Sequence, residues 1–295
     1  MNRDMSCKLE RPSQPSEPSK RILSLERKVK HLLSYDGTQV RGPALHRFVC
    51  ELDRSIRLRH HAVRFWSKAC LNPRDIASLV CIAAQSGEQD EAVWRGFLAA
   101  HFGRSSASKT VNGQAESAAW FLCAFGSKPH WTWNRVTRAP EALRSWLNSH
   151  KEKLRTLSYG NHRKFESKKA EDILRVIDSF ICLAANYGGP AGLLSTDTGL
   201  SPTKHFDVLY QRLKPLYRFG RTGRFDFLVF LADLKLVDVE PESCYLRGAT
   251  GPLRGARRLW GKRISELEQL ATGLAAKLRV SPVAMEDTLC NWQKG

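Results

Sequence analysis

Three carboxylates fall within five residues, Asp238, Glu240 and Glu242, and a fourth, Asp226, lies upstream of them. Acids at such a spacing can stabilise a developing oxocarbenium ion and can orient or deprotonate a water molecule. A solvated acidic turn accounts for the same residues. Just ahead of the acids runs a tight basic turn, Arg218-Phe219-Gly220-Arg221-Thr222, with Arg224 behind it. A helix, a glycine-containing turn and a second helix would aim backbone N–H groups outward at the second helix's N-terminus. A phosphate is the ligand such a terminus favours, and the arginines would add charge beside it. An ordinary helical hairpin with a solvated basic corner is the alternative.

The elements that must hold these residues are legible on either side. Phe206, Leu209, Leu213 and Leu216 repeat at helical spacing up to the turn, and the apolar run Phe225 to Leu234 leads away from it. Beyond the acids, Gly248-Ala249-Thr250-Gly251-Pro252 opens onto Arg254, Arg257 and Arg258. Two further clusters could touch a polyanion. Trp131 and Trp133 sit beside Lys128 and Arg135, where exposed rings would stack on an unpaired base or wedge into a duplex. Core packing is the other use of such rings. Asn161, His162, Arg163 and Lys164 form a polar run that could contact phosphates or a flipped base, or could be a basic loop before a helix.

Two apparent motifs fail on chemistry. Gly103 followed by Ser108-Lys109-Thr110 lacks the second glycine of a phosphate-binding loop, and a helical pattern rather than a strand precedes it. The neighbouring His60 and His61 do not have the one-turn spacing of metal ligands and have no carboxylate nearby. No metal site is expected.

The turn is similar to the helix-hairpin-helix of DNA glycosylases, whose Leu-Pro-Gly-Val-Gly pattern is followed about 20 residues later by a catalytic aspartate. Aligned without gaps, Leu216 takes the leucine position, Gly220 the second glycine, and Glu240 the aspartate, after Val239. Tyr217 and Arg218 replace the proline and first glycine, and Thr222 stands where bifunctional members have lysine. A narrower likeness rests on Phe219-Gly220-Arg221-Thr222 with Phe225-Asp226, on Gly248 to Arg258, and on Met285-Glu286-Asp287-Thr288-Leu289-Cys290-Asn291-Trp292. These segments resemble the α-glutamyl/putrescinyl thymine pyrophosphorylase family, and the likeness covers roughly Gln114 to the C-terminus. The family is related to the helical domain of hydroxymethyluracil DNA kinases, and some relatives are implicated in excising modified bases during defence against phage.

The resemblance implies a helix-hairpin-helix glycosylase-like fold that acts on double-stranded DNA carrying modified bases. Its first reading is a monofunctional glycosylase removing a bulky modified pyrimidine, without an organic cofactor and as a monomer. Glu240 would be the acid, with Asp226, Asp238 and Glu242 as substitutes. Arg218, Gly220, Arg221, Thr222, Arg224, Thr250, Gly251, Arg254, Arg257 and Arg258 would contact DNA, together with the 161–164 run and the two tryptophans. A transferase displacing pyrophosphate from an activated hydroxymethyl pyrimidine, and a DNA-binding module without catalysis, are the other readings.

Composition agrees with a nucleic-acid partner. The 295 residues carry 47 basic and 29 acidic side chains, a formal net charge of +18. No apolar run is long enough to span a membrane, and the first 20 residues have no signal-peptide core. The eight cysteines are scattered, with no pair at zinc-knuckle or redox spacing, as expected of reduced thiols in a cytoplasmic protein. Period-2 alternation is short everywhere and helical periodicity dominates, so the expected class is all-α. Expected divisions are a Pro-rich tail over 1–19, a helical region over 20–113 ending in a Ser/Gly-rich linker, and the hairpin-bearing region over 114–295.

Overall fold

The computed structural model describes residues 20–36, 38, 40–62, 75–102, 117–157, 169–196 and 199–295, and of 60–62 only the backbone. The tail over 1–19, the linker and near-miss phosphate loop over 103–114, and Asn161 to Lys164 lie outside the described residues, as do the side chains of His60 and His61.

Among the described residues there are fifteen helices and no strand, an all-α fold. In chain order they are α1 (Lys20–Tyr35), α2 (Gly42–Ala62), α3 (Ile76–Gln85), α4 (Gln89–Phe102), α5 (Ser117–Leu122) and α6 (Trp133–Arg138). There follow α7 (Pro140–Ser149), α8 (Lys151–Arg155), α9 (Ala170–Ala185), α10 (Pro190–Leu193) and α11 (Pro202–Arg212). The last four are α12 (Arg221–Asp233), α13 (Thr250–Trp260), α14 (Ile264–Leu278) and α15 (Pro282–Trp292). The chain forms two compact units. One combines Met1–Ser55 with Gly251–Gly295, and the other is Ile56–Thr250.

The larger unit is built around α4, which packs against α3, α12, α5, α10 and α6. Every residue of α4 from Glu91 to Phe102 is buried, so it has no solvated face to show amphipathicity. Its Phe97 ring stacks on Phe180 of α9 at 4.0 Å and meets Phe219 and Phe227 at 5.3 and 6.2 Å. Each such ring contributes about 1.5–3 kcal/mol by leaving water. Gly96 lets α12 come close, since a Cβ there would stand 2.5 Å from Leu231 Cδ2. The buried charge pair of α4 is well satisfied. Arg95 Nε donates to Glu91 Oε1 at 2.7 Å, and Arg95 also donates to the Leu79 carbonyl of α3 at 2.6 Å. Glu91 Oε2 accepts the Trp133 N–H at 2.6 Å, which fixes the start of α6.

Local caps explain where several helices begin. Asp75 accepts the Ser78 N–H at 2.8 Å ahead of α3. Ser201-Pro202 and Ser281-Pro282 each place a hydroxyl cap before a first-turn proline, starting α11 and α15.

In the smaller unit α13, α14 and α15 associate with α1 and the first part of α2. Trp292 of α15 donates its indole N–H to the Ala44 carbonyl at 2.9 Å and meets Phe48 edge-on at 5.5 Å. Asp287 accepts from Ser55 Oγ at 2.6 Å. The Met285–Trp292 segment is thus a packing helix, with Met285, Thr288, Leu289 and Trp292 buried.

Candidate nucleic-acid interface

The hairpin consists of α11, the turn over 213–220 and α12. Leu213 and Leu216 keep the helical spacing but α11 ends at Arg212, and both leucines are buried in the turn itself. Phe219 anchors the turn in the aromatic core at Phe97 and Phe227. The left-handed residue of the turn is Arg218, at φ 50°, at the position where the glycosylase pattern has glycine. Its guanidinium lies 3.3 Å from Asp172 Oδ1 and 5.3 Å from the Tyr217 ring centroid. Gly220 instead has extended backbone, φ −68° and ψ −164°, and caps α12 without a side-chain hydrogen bond. Nothing lies within 4 Å of where its Cβ would be. The terminus of α12 is therefore open above Gly220, with exposed Arg218 and half-buried Thr222 beside it.

Arg221 and Arg224 are placed differently from the expectation of phosphate-facing charges. Arg221 is buried, donating from Nε to the Tyr245 carbonyl at 2.7 Å and from the guanidinium to the Cys244 carbonyl at 2.8 Å. Its guanidinium carbon stands 4.3 Å from the Phe225 centroid. Two carbonyls and a ring face hold a cation more firmly than a solvated surface, so Arg221 clamps the segment after α12. Arg224 donates to the Tyr210 carbonyl at 3.1 Å and lies 4.2 Å over the Tyr210 ring, joining α12 to α11.

The clamped segment carries the acids. Val239 and Pro241 are buried while Asp238, Glu240 and Glu242 are exposed, the alternation of an extended chain lying on a surface. Its backbone is tied to α11: the Glu240 N–H donates to the Pro202 carbonyl at 3.1 Å. The His205 ring bridges two carbonyls, with Nδ1 3.1 Å from Asp238 O and Nε2 3.2 Å from Leu194 O. Three carboxylates thus project to solvent from a segment whose main chain is held at several points. Asp226 is half-buried on α12 and does not belong to this segment.

A residue without a motif of its own sits under the segment. Asp207 of α11 accepts a hydrogen bond from the Tyr245 hydroxyl. Burial, with Glu242 as a lesser cause, raises its carboxyl above the ordinary aspartate value of 3.8. Tyr245 in turn packs against Phe206, Tyr210 and Phe225 at 5.3, 4.8 and 5.7 Å. The only signal of Asp207 in the sequence is its position within the apolar repeat of α11; its aromatic surroundings include residues far along the chain.

Two further expectations are corrected. Trp131 is buried, 5.4 Å from the Trp146 centroid, and its carbonyl accepts the Trp94 indole N–H at 2.8 Å. Trp133 is half-buried, 6.0 Å from both Trp94 and Phe180. The free energy of burying indoles draws both rings against the aromatic core instead of leaving them free on the surface. Gly251 is a packing residue, since a Cβ there would stand 2.8 Å from Cys290 Sγ. On the other face of α13, Arg254, Arg257 and Arg258 are exposed at one-turn spacing, with Arg258 5.0 Å from the Trp292 ring centroid. Thr250, at the start of that helix, is exposed as well.

A family model for alpha-glutamyl/putrescinyl thymine pyrophosphorylase clade 3 matches residues 57–295, most of the chain. The chain belongs to that family. No curated protein and no solved structure matches it. Membership in the alpha-glutamyl/putrescinyl thymine pyrophosphorylase family places the chain among enzymes of DNA base modification, and the match spans both the hairpin with its acidic segment and the arginine face of α13. No helix among the described residues is long and apolar enough to cross a membrane, and none of those residues form a group of three potential metal ligands.

Proposed function

We propose that this family member is a DNA glycosylase that flips out and excises a bulky modified pyrimidine, such as glucosylated hydroxymethylcytosine, from phage DNA as part of defence. The observation that carries this reading is the exposed Glu240 on a segment fastened to the hairpin. A carboxylate that stabilises cationic charge at C1′ must be reachable from solvent, and Glu240 meets that demand better than the partly enclosed Asp207. The open N-terminus of α12, with Arg218 and Thr222, would hold a backbone phosphate, and the arginines of α13 would bind further phosphates.

In the proposed reaction the C1′–N1 bond breaks and its electron pair leaves with the base. Water oriented by Glu240 adds to C1′, and its proton passes to the carboxylate and on to solvent or the departing base. A lyase step is not part of the proposal, because Thr222 has no amine to form a Schiff base.

The family's name favours a second reading, in which an amine displaces pyrophosphate from an activated thymine-type base and the glycosidic bond survives. Incubation with DNA containing glucosylated hydroxymethylcytosine, hydroxymethyluracil or ordinary bases, with alkaline cleavage as readout, tests excision. Cleavage with one modified DNA that Glu240→Gln lowers by a factor of at least about 100 supports the proposal. Undiminished cleavage by Glu240→Gln would move the acid to Asp226, Asp238 or Glu242.

A further inference from the structure

Glu26, His46 and Cys50 meet on α1 and α2 in the smaller unit, ahead of the segment that the family model matches. His46 and Cys50 are one helical turn apart on α2, so their side chains leave the same face. Cys50 Sγ stands 3.5 Å from His46 Nε2, and Glu26 Oε2 stands 2.8 Å from His46 Nδ1. With Glu26 accepting the Nδ1–H, Nε2 becomes the basic nitrogen turned towards the thiol. A nucleophile, a base and a group that orients the base are thereby in line.

The geometry narrows the chemistry. Sulfur and carboxylate lie against opposite nitrogens of the ring, so one metal ion could not touch all three groups. Cys50 lies within α2, where backbone N–H groups are engaged in the helix and cannot form the oxyanion site that acyl transfer requires. Thiol exchange needs only a thiolate and access. Cys50 is half-buried, and beside it the His46 side chain is 41% exposed and Glu26 28% exposed, so the cluster has a side open to solvent.

We propose that Cys50 is a modification site that takes up one sulfur-bearing half, as a mixed disulfide, from a low-molecular-weight disulfide of the glutathione class. His46 Nε2 receives the Cys50 proton, and the thiolate attacks one sulfur of the disulfide. The S–S bond of the reagent breaks, its electron pair goes with the departing thiolate, and the imidazolium returns the proton to that thiolate. One disulfide is consumed and one is formed, so no other oxidant is involved, and an added thiol reverses the step along the same path. Three of the other described cysteines provide contrasts. Cys81 and Cys123 are buried, and burial pushes their thiols up, towards the unreactive form. Cys182 is exposed on α9 and is the reference for an accessible thiol.

The test is exposure of the full-length protein to glutathione disulfide at neutral pH, with adducts at each cysteine followed by peptide mass spectrometry. Cys50 is expected to react about five- to tenfold faster than Cys182, given that an ordinary thiol is only a few per cent ionised at that pH. His46→Gln should bring Cys50 down to the Cys182 rate, and Glu26→Gln should slow it severalfold, with Cys182 unchanged in both. If His46→Gln also exposes buried Cys81, Glu26→Gln carries the comparison. A wild-type Cys50 no faster than Cys182, or a Cys50 rate indifferent to the substitution that keeps the fold, would overturn the proposal.

Discussion

Arg218 and Gly220 divide between them what the glycosylase pattern assigns to two glycines. The left-handed backbone falls on Arg218, whereas Gly220 has a conformation open to any residue. The reason for glycine at 220 is then the space above the α12 terminus. Gly220→Asp would add a capping carboxylate and is expected to stabilise the fold by roughly 0.5 kcal/mol. The same carboxylate would repel a phosphate, so duplex DNA should bind several-fold more weakly. Gly220→Ser, a neutral cap, separates charge from bulk. Thermal unfolding and DNA titration should therefore move in opposite directions for Gly220→Asp; unchanged DNA affinity would remove the phosphate from this terminus.

Asp207 gives a pH signature at the same scale. Its raised carboxyl means that the folded protein keeps this proton at pH values where the unfolded chain has released it. Stability from this residue is therefore greatest in acid and is lost as pH rises from the ordinary value of 3.8 through the raised folded value. Asp207→Asn should show a smaller fall in denaturation midpoint across that window than wild type. A parallel pair of pH profiles would contradict the assignment.

At the scale of elements, close helix packing is set by glycines that differ sharply in what surrounds them. A Cβ at Gly255 of α13 would stand 2.2 Å from the Leu289 carbonyl oxygen of α15, backbone against backbone. Gly255→Ala is expected to cost about 1–3 kcal/mol in urea unfolding. Gly273 of α14 has nothing within 4 Å of its Cβ position, and Gly273→Ala should instead stabilise by about 0.5–1 kcal/mol. Apolar periodicity makes α1 and α9 legible in the sequence, and the basic turn locates the hairpin. The end of α11 is not legible, because Leu213 and Leu216 continue the helical period while serving the turn. Nor can local pattern reveal that Arg221 is a clamp, Trp131 a core residue or Asp207 enclosed. Their partners, Cys244, Tyr245 and Trp146, come from distant points of the chain, and only the fold brings them together.

For the whole molecule, a formal charge of +18 makes DNA binding strongly dependent on salt under the proposed function. Replacing Arg254, Arg257 and Arg258 together by alanine should reduce the slope of log affinity against log salt by roughly 0.9 for each phosphate that these arginines neutralise. An unchanged slope would take α13 out of the DNA interface. The most direct test of the central claim is a single turnover of wild-type protein, in excess over DNA containing glucosylated hydroxymethylcytosine or pyrophosphorylated hydroxymethyluracil and with an amine donor present, with all products identified by mass spectrometry. Excision predicts one free modified base for each abasic site and no base of altered mass left in the strand. A modified base still joined to its sugar and now carrying an amine, with no abasic site, would contradict excision and make this family member a transferase.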